Sequence, residues 1–150
     1  MSQIVLLDTG PLGLITHPKA SSESDLCNKW MREQIQKGIR VLVAGISDYE
    51  LRREMLLNGT TNGIAKLDAL RKIVGFVPVT TAVMDQAAVF WAQARKMGKP
   101  TASDSALDGD MILSAHATVL TGQGYEVVVA TTNVKHLELF CDARLWTTIN

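Results

Sequence analysis

Short apolar runs and longer amphipathic stretches alternate along the chain. Residues 4–7 (IVLL), 40–46 (RVLVAGI) and 126–130 (EVVVA) are compact apolar runs closed by polar or turn-forming residues, the pattern of strands buried on both faces. Two further extended pieces are expected at 76–79 and 144–148. Between these runs the apolar positions recur at helical spacing. Residues 23–37 place Leu26, Trp30 and Ile35 near one face and stop at Gly38, and residues 47–57 stop at Asn58-Gly59. Residues 64–74 form a third such stretch, and residues 81–97 a long one closed by Gly98. An apolar helix is expected over 111–120 and a short one over 133–140. Asp8-Thr9-Gly10-Pro11 reads as a turn that closes the first strand, or as a cap for a helix beginning at Pro11. Strands alternating with helices, with no repeat, low-complexity tract or linker, imply one α/β domain over residues 1–150 built on a parallel sheet with helices on both faces.

Composition narrows the setting. A chain of 150 residues buries enough surface for a core without staples. Its two cysteines, Cys27 and Cys141, are far apart and lack Cys-x-x-Cys spacing, and no segment reads as a signal peptide, so reduced thiols in a cytoplasm are expected. No apolar stretch approaches the roughly 20 residues a bilayer requires, so a transmembrane span is not expected and no membrane partner is assigned. Formal charge balances to zero, so a nucleic-acid partner would have to be met by a local basic patch.

Ligands of open parallel sheets bind outside the carboxyl ends of the strands. Asp8 follows the first strand there, Ser47, Asp48 and Glu50 follow the second, and Thr131, Thr132 and Asn133 follow EVVVA. Asp104, Asp108 and Asp110 precede the helix that leads into EVVVA and can reach the same rim. Each has a structural alternative. Asp8, Asp108, Asp110 and Asn133 are good N-cap residues, and Ser47-x-x-Glu50 fits a capping box. Caps do not explain why acids recur on one rim, and clustered carboxylates raise one another's pKa unless a cation lies among them. Oxygen-only ligands suit Mg²⁺ or Mn²⁺. His17, His116 and His136 are scattered without metal-binding spacing. An ion held by such acids supports attack of an activated water on a phosphodiester.

Four ordered segments, IVLLDTGPL, ISDYELRREM, LDGDMILSAHA and VVVATTNVKHL, together resemble the PIN-domain proteins, the metal-dependent ribonuclease family that includes the VapC toxins of bacterial toxin–antitoxin pairs. The resemblance runs from residue 4 to residue 140. It implies a three-layer α/β/α fold with four or five parallel strands and Mg²⁺- or Mn²⁺-dependent cleavage of RNA. It also implies a cognate antitoxin protein and a homodimer. Carried over by position, the family's acids fall on Asp8, Glu50 and Asp110 as metal ligands, with Asn133 in the fourth catalytic place. Glu54 is an alternative to Glu50, and Asp108 a possible support. Asn133 departs from the commoner aspartate toward a weaker ligand and leaves one ion as the resting expectation. Thr9 and Thr131 are expected to aim the acids through hydrogen bonds, and Arg52 and Arg53, then Lys135, to contact phosphates and meet the antitoxin. The rival is a PIN fold without chemistry, serving as an RNA-binding or protein-docking module. In the long helix, Val83, Ala87, Phe90, Trp91 and Ala94 form a stripe that fits either a subunit interface or internal packing.

Overall fold

The computed structural model describes residues 2–98 and 104–150. Five strands, β1 (Gln3–Leu7), β2 (Arg40–Ala44), β3 (Phe76–Val77), β4 (Glu126–Thr131) and β5 (Ala143–Leu145), form one sheet in the order β3-β2-β1-β4-β5. Every pairing is parallel, and Leu7 of the central strand lies level with Val43 and Ala130. β1 and β2 are exposed only at their first residue, because each is covered on both faces. Among the described residues there are six α-helices, α1 (Thr9–Thr16), α2 (Ser22–Gln36), α3 (Gly45–Asn58), α4 (Thr61–Val74), α5 (Thr81–Lys96) and α6 (Asp104–Gly122), and all but α5 pack on the sheet.

Strand alternation divides the core between two layers of helix. Val5, Leu7, Val41 and Val43 pack with Leu12 and Ile15 of α1, Cys27, Trp30 and Met31 of α2, and Leu67 and Leu70 of α4. Ile4, Leu6, Leu42 and Ala44 point the other way, onto Leu113, Ala117 and Leu120 of α6. Helix α5 lies outside α6, with Val83, Ala87, Phe90 and Ala94 against Leu107, Met111 and Ala115. The stripe on the long helix is therefore taken up by internal packing, except for Trp91, which is partly exposed beneath the Arg95 guanidinium. The expected three-layer α/β/α fold with a parallel sheet of up to five strands is present.

Several boundaries differ from the sequence reading. Residues 8–11 are not a free turn but the cap and first turn of α1. The second strand stops at Ala44, and α3 begins at Gly45, ahead of the Ser47 start. Helix α6 begins at Asp104, before the expected residue 111, because Leu107, Met111 and Ala115 are spaced four apart and bury one stripe on α5. Residues Lys135–Leu139 are a 3-10 helix, and a second 3-10 turn, Trp146–Thr148, follows β5. Among the described residues no helix is long and apolar enough to cross a membrane.

One buried group sets an acid limit on this core. His116 of α6 is fully buried, neither ring nitrogen has a hydrogen-bond partner, and burial pushes its pKa down to about 4. The unfolded chain, titrating near 6.5, then binds the extra proton first, so this group's contribution to stability falls as pH drops from 6.5 toward 4. Denaturant unfolding of wild type and His116→Leu across pH 7 to 4.5 is expected to diverge on acidification. The wild type loses ground by up to about 1.4 kcal/mol per pH unit relative to the variant.

Candidate active site

The carboxyl ends of the strands gather the acids, beginning with Asp8. Its backbone N–H continues the β1–β4 ladder to Ala130 O at 3.0 Å, and its side chain then turns to two different partners. Oδ1 accepts the Thr9 N–H at 2.7 Å, which caps α1, while Oδ2 accepts the Thr131 hydroxyl at 2.7 Å. Asp8 is thus a helix cap and a rim acid at once. The Thr131 hydroxyl also accepts the Asn133 N–H at 3.0 Å, folding the exit of β4 over the site. Gly10 permits that approach: a Cβ there would lie 2.5 Å from Thr132 Oγ1 and 3.1 Å from its Cβ.

Glu50 arrives from α3. The N-cap of this helix is Ala44, with no side-chain bond, and Ser47 is buried inside the first turn with its hydroxyl unpartnered. Ser47-x-x-Glu50 is consequently no capping box, and the Glu50 carboxylate is free for other partners. It accepts the Thr9 hydroxyl at 3.2 Å on Oε1 and stands 4.0 Å from the Arg53 guanidinium on Oε2. Asp110 lies inside α6, six residues past its start, so it caps nothing.

The three acids share one electrostatic problem. Burial is the largest cause in each and raises all three pKa values. At Asp110 burial, then the charges of Asp8 and Glu50, push the carboxyl up to about 7. At Glu50 burial outweighs the Thr9 bond, with Asp8 adding repulsion and Arg53 partly offsetting it. At Asp8 burial outweighs the bonds from Thr131 and Thr9. Mutual repulsion of this kind places the three side chains in one field. Among the described residues no three His, Cys, Asp or Glu side chains stand close enough together to hold a metal ion by themselves. A half-buried, oxygen-only set sharing excess negative charge fits a hard ion that keeps waters of its own.

The other expected positions divide. Asn133 is exposed at the rim. Asp108 is exposed on a different face of α6 from Asp110, in an apolar groove of about 360 Å³ with Met84, Trp91 and Ile112. Glu54 is exposed in a groove of about 460 Å³ between α1 and α3, lined also by Gly10, Gly13 and His17; Glu50, not Glu54, meets Thr9. Arg52 turns away from the rim: its guanidinium bonds Asp48 at 2.9 Å and Asp68 at 2.8 Å, which occupies a side chain expected to contact phosphate. Arg53 stays beside Glu50, lying over the exposed Tyr49 ring at 5.1 Å. The side chains of Lys135 and Asp104 lie outside the described residues. The sequence reading passed over Tyr49; its signal was an aromatic four residues before an arginine on one helix face.

The chain has the three-layer α/β/α, PIN-like fold of several solved structures. The chain is similar to FitAcB from Neisseria gonorrhoeae (TM-score 0.70, 19% identity, 97% of this chain and 99% of that one). It is similar also to VapBC2 from Rickettsia felis, solved bound to a DNA fragment from their promoter (TM-score 0.72, 14% identity, 96% and 99%). A third likeness is VapBC-1 from nontypeable Haemophilus influenzae (TM-score 0.69, 18% identity, 97% and 100%). At these identities the likeness is one of fold. No protein-family model and no curated protein matches the sequence.

The raised Asp110 pKa has a definite sign. A group whose folded pKa lies above its unfolded 3.8 contributes stability below that value and loses it as pH rises through about 7. Asp110→Asn removes the charge while keeping the shape. In metal-free buffer it is expected to melt above the wild type at pH 8, the gap narrowing as pH falls below 7 and closing near pH 4, as thermal unfolding in EDTA will measure.

Proposed function

We propose that this chain is a cytoplasmic Mg²⁺- or Mn²⁺-dependent endoribonuclease, the toxin of a toxin–antitoxin pair. One observation carries the reading: Asp8, Glu50 and Asp110 come from three separate elements into one half-buried field, where burial and repulsion disfavour their charged forms. A divalent cation removes that penalty, and acids serving only as caps would not create it. The similarity in fold to VapBC and FitAcB assemblies supports the toxin setting and a protein antitoxin as partner.

Asp8, Glu50 and Asp110 would hold the ion, directly or through its waters, with Asn133 assisting from the rim. Such an ion, when bound, supplies a more acidic water and charge stabilisation at the phosphoryl oxygens. The chain's own residues set the rest. Thr131 fixes the Asp8 carboxylate from β4, and Thr9 links the Asp8 turn to Glu50, so three elements are kept in register by two hydroxyls. Arg53, held over the Tyr49 ring, would offer its guanidinium to an RNA phosphate. That local charge reconciles a neutral chain with a polyanionic substrate.

Calorimetric titration with Mn²⁺, paired with cleavage of total RNA, tests the reading on wild type and Asp8→Asn. Asparagine keeps an oxygen for the Thr9 cap, so the variant should stay folded while both binding and cleavage disappear. If both proteins bind and cleave alike, Asp8 is only a cap; if neither binds or cleaves, the fold lacks this chemistry. Arg53→Ala should weaken RNA binding across sequences and lower the slope of log affinity against log salt by about 1.

A further inference from the structure

Helix α6 carries a glycine with no conformational reason to be there. Gly109 is buried in the helix beside Asp110, and it is not among the positive-φ glycines of the chain. Glycine in a helix interior is less favourable than alanine. What alanine would meet explains the choice: a Cβ at position 109 would lie 2.6 Å from Glu50 Oε2, 3.2 Å from Cδ and 3.3 Å from Oε1. The carboxylate of α3 therefore rests against the α6 backbone in a notch that only the missing Cβ leaves open.

We infer that Gly109 is a positioning residue, whose notch seats the Glu50 carboxylate against α6 and so sets its separation from Asp110. The inference deepens the metal-dependent reading above and rests on it for its effect on activity. Glu50 reaches the notch by the far end of a flexible side chain, so a Cβ moves the carboxylate without moving the helices. The same carboxylate accepts the Thr9 hydroxyl at 3.2 Å and lies 4.0 Å from Arg53, contacts that a displaced carboxylate would disturb. Glu50 is thereby fixed from three elements: α1 through Thr9, α3 through its own backbone and Arg53, and α6 through the absence of an atom.

The test is Gly109→Ala, with Gly122→Ala as control. Gly122 ends the same helix, and a Cβ there meets nothing within 4 Å. Gly109→Ala is expected to melt no lower than the wild type, to bind Mn²⁺ about 10- to 100-fold more weakly by calorimetry, and to cleave RNA correspondingly more slowly. A crystal structure of the metal-free variant should show the Glu50 carboxylate lifted from α6 and its Thr9 bond lengthened beyond 3.5 Å. Gly122→Ala should match the wild type in both Mn²⁺ affinity and cleavage. Unchanged Mn²⁺ affinity in Gly109→Ala, an undisplaced carboxylate, or a lowered Tm would each overturn the assignment. Should the wild type itself bind no Mn²⁺, the metal-dependent reading falls, and the metal-free structure alone decides: a displaced Glu50 upholds the notch and an undisplaced one overturns it.

Discussion

The dipeptide Asp8-Thr9 ties four elements together at one point, and the geometry of the rim depends on it. One oxygen of Asp8 takes the first N–H of α1, the other takes a hydroxyl from β4, and the hydroxyl of Thr9 reaches Glu50 on α3. Hydrogen bonds to a charged acceptor contribute about 1.5–3 kcal/mol, more than neutral ones, and here they add to the backbone ladders that set the register of the strands. The same bonds pull Asp8 toward the charged form, while burial pulls harder the other way. Fold and chemistry thus make opposite demands on one carboxylate. The chain satisfies the first within itself; the cation of the reading proposed above would answer the second.

Much of this was legible in the linear sequence, for identifiable reasons. Parallel strands covered on both faces are continuous apolar runs, so β1, β2 and β4 stand out, and the residue after such a run lands on the ligand-binding edge by topology alone. Asp8 was therefore placed with no side-chain information. Glu50 was harder, because Ser47-x-x-Glu50 imitates a cap; only the start of α3 at Gly45, two residues upstream of Ser47, dissolves the imitation.

What stayed hidden is angular. A helix turns 100° per residue, so neighbours in sequence face different partners. Asp108 and Asp110 are two apart, yet one looks into the α5–α6 groove and the other feels Asp8 and Glu50. Arg52 and Arg53 are adjacent, yet one bonds Asp48 and Asp68 while the other rests on Tyr49. Such divisions require the start of each helix, and polar openings conceal it. Residues 8–11 contain Gly and Pro, which read as breakers although both fit a first helical turn. The polar residues before Met111 hid the extension of α6 to Asp104, and with it the interior position of Gly109.

Helix α3 holds two acids two residues apart that solve the same problem in contrary ways. Asp48 is buried, and two guanidiniums of the chain itself meet it: Arg52 at 2.9 Å from α3 and Arg71 at 3.4 Å from α4. A carboxylate neutralised so fully has nothing left to offer a ligand, and its place is to bind α3 to α4. Glu50 is more exposed, meets one arginine only at 4.0 Å, and faces two further acids whose charge acts against its own. An internal ion pair there would be as easy to build as the one beside it, since Arg53 is already within a turn. The chain instead lays Arg53 on Tyr49 and leaves the rim with excess negative charge. Between two acids on one helix, the unneutralised one is the one that the metal-dependent reading proposed above assigns to the ion.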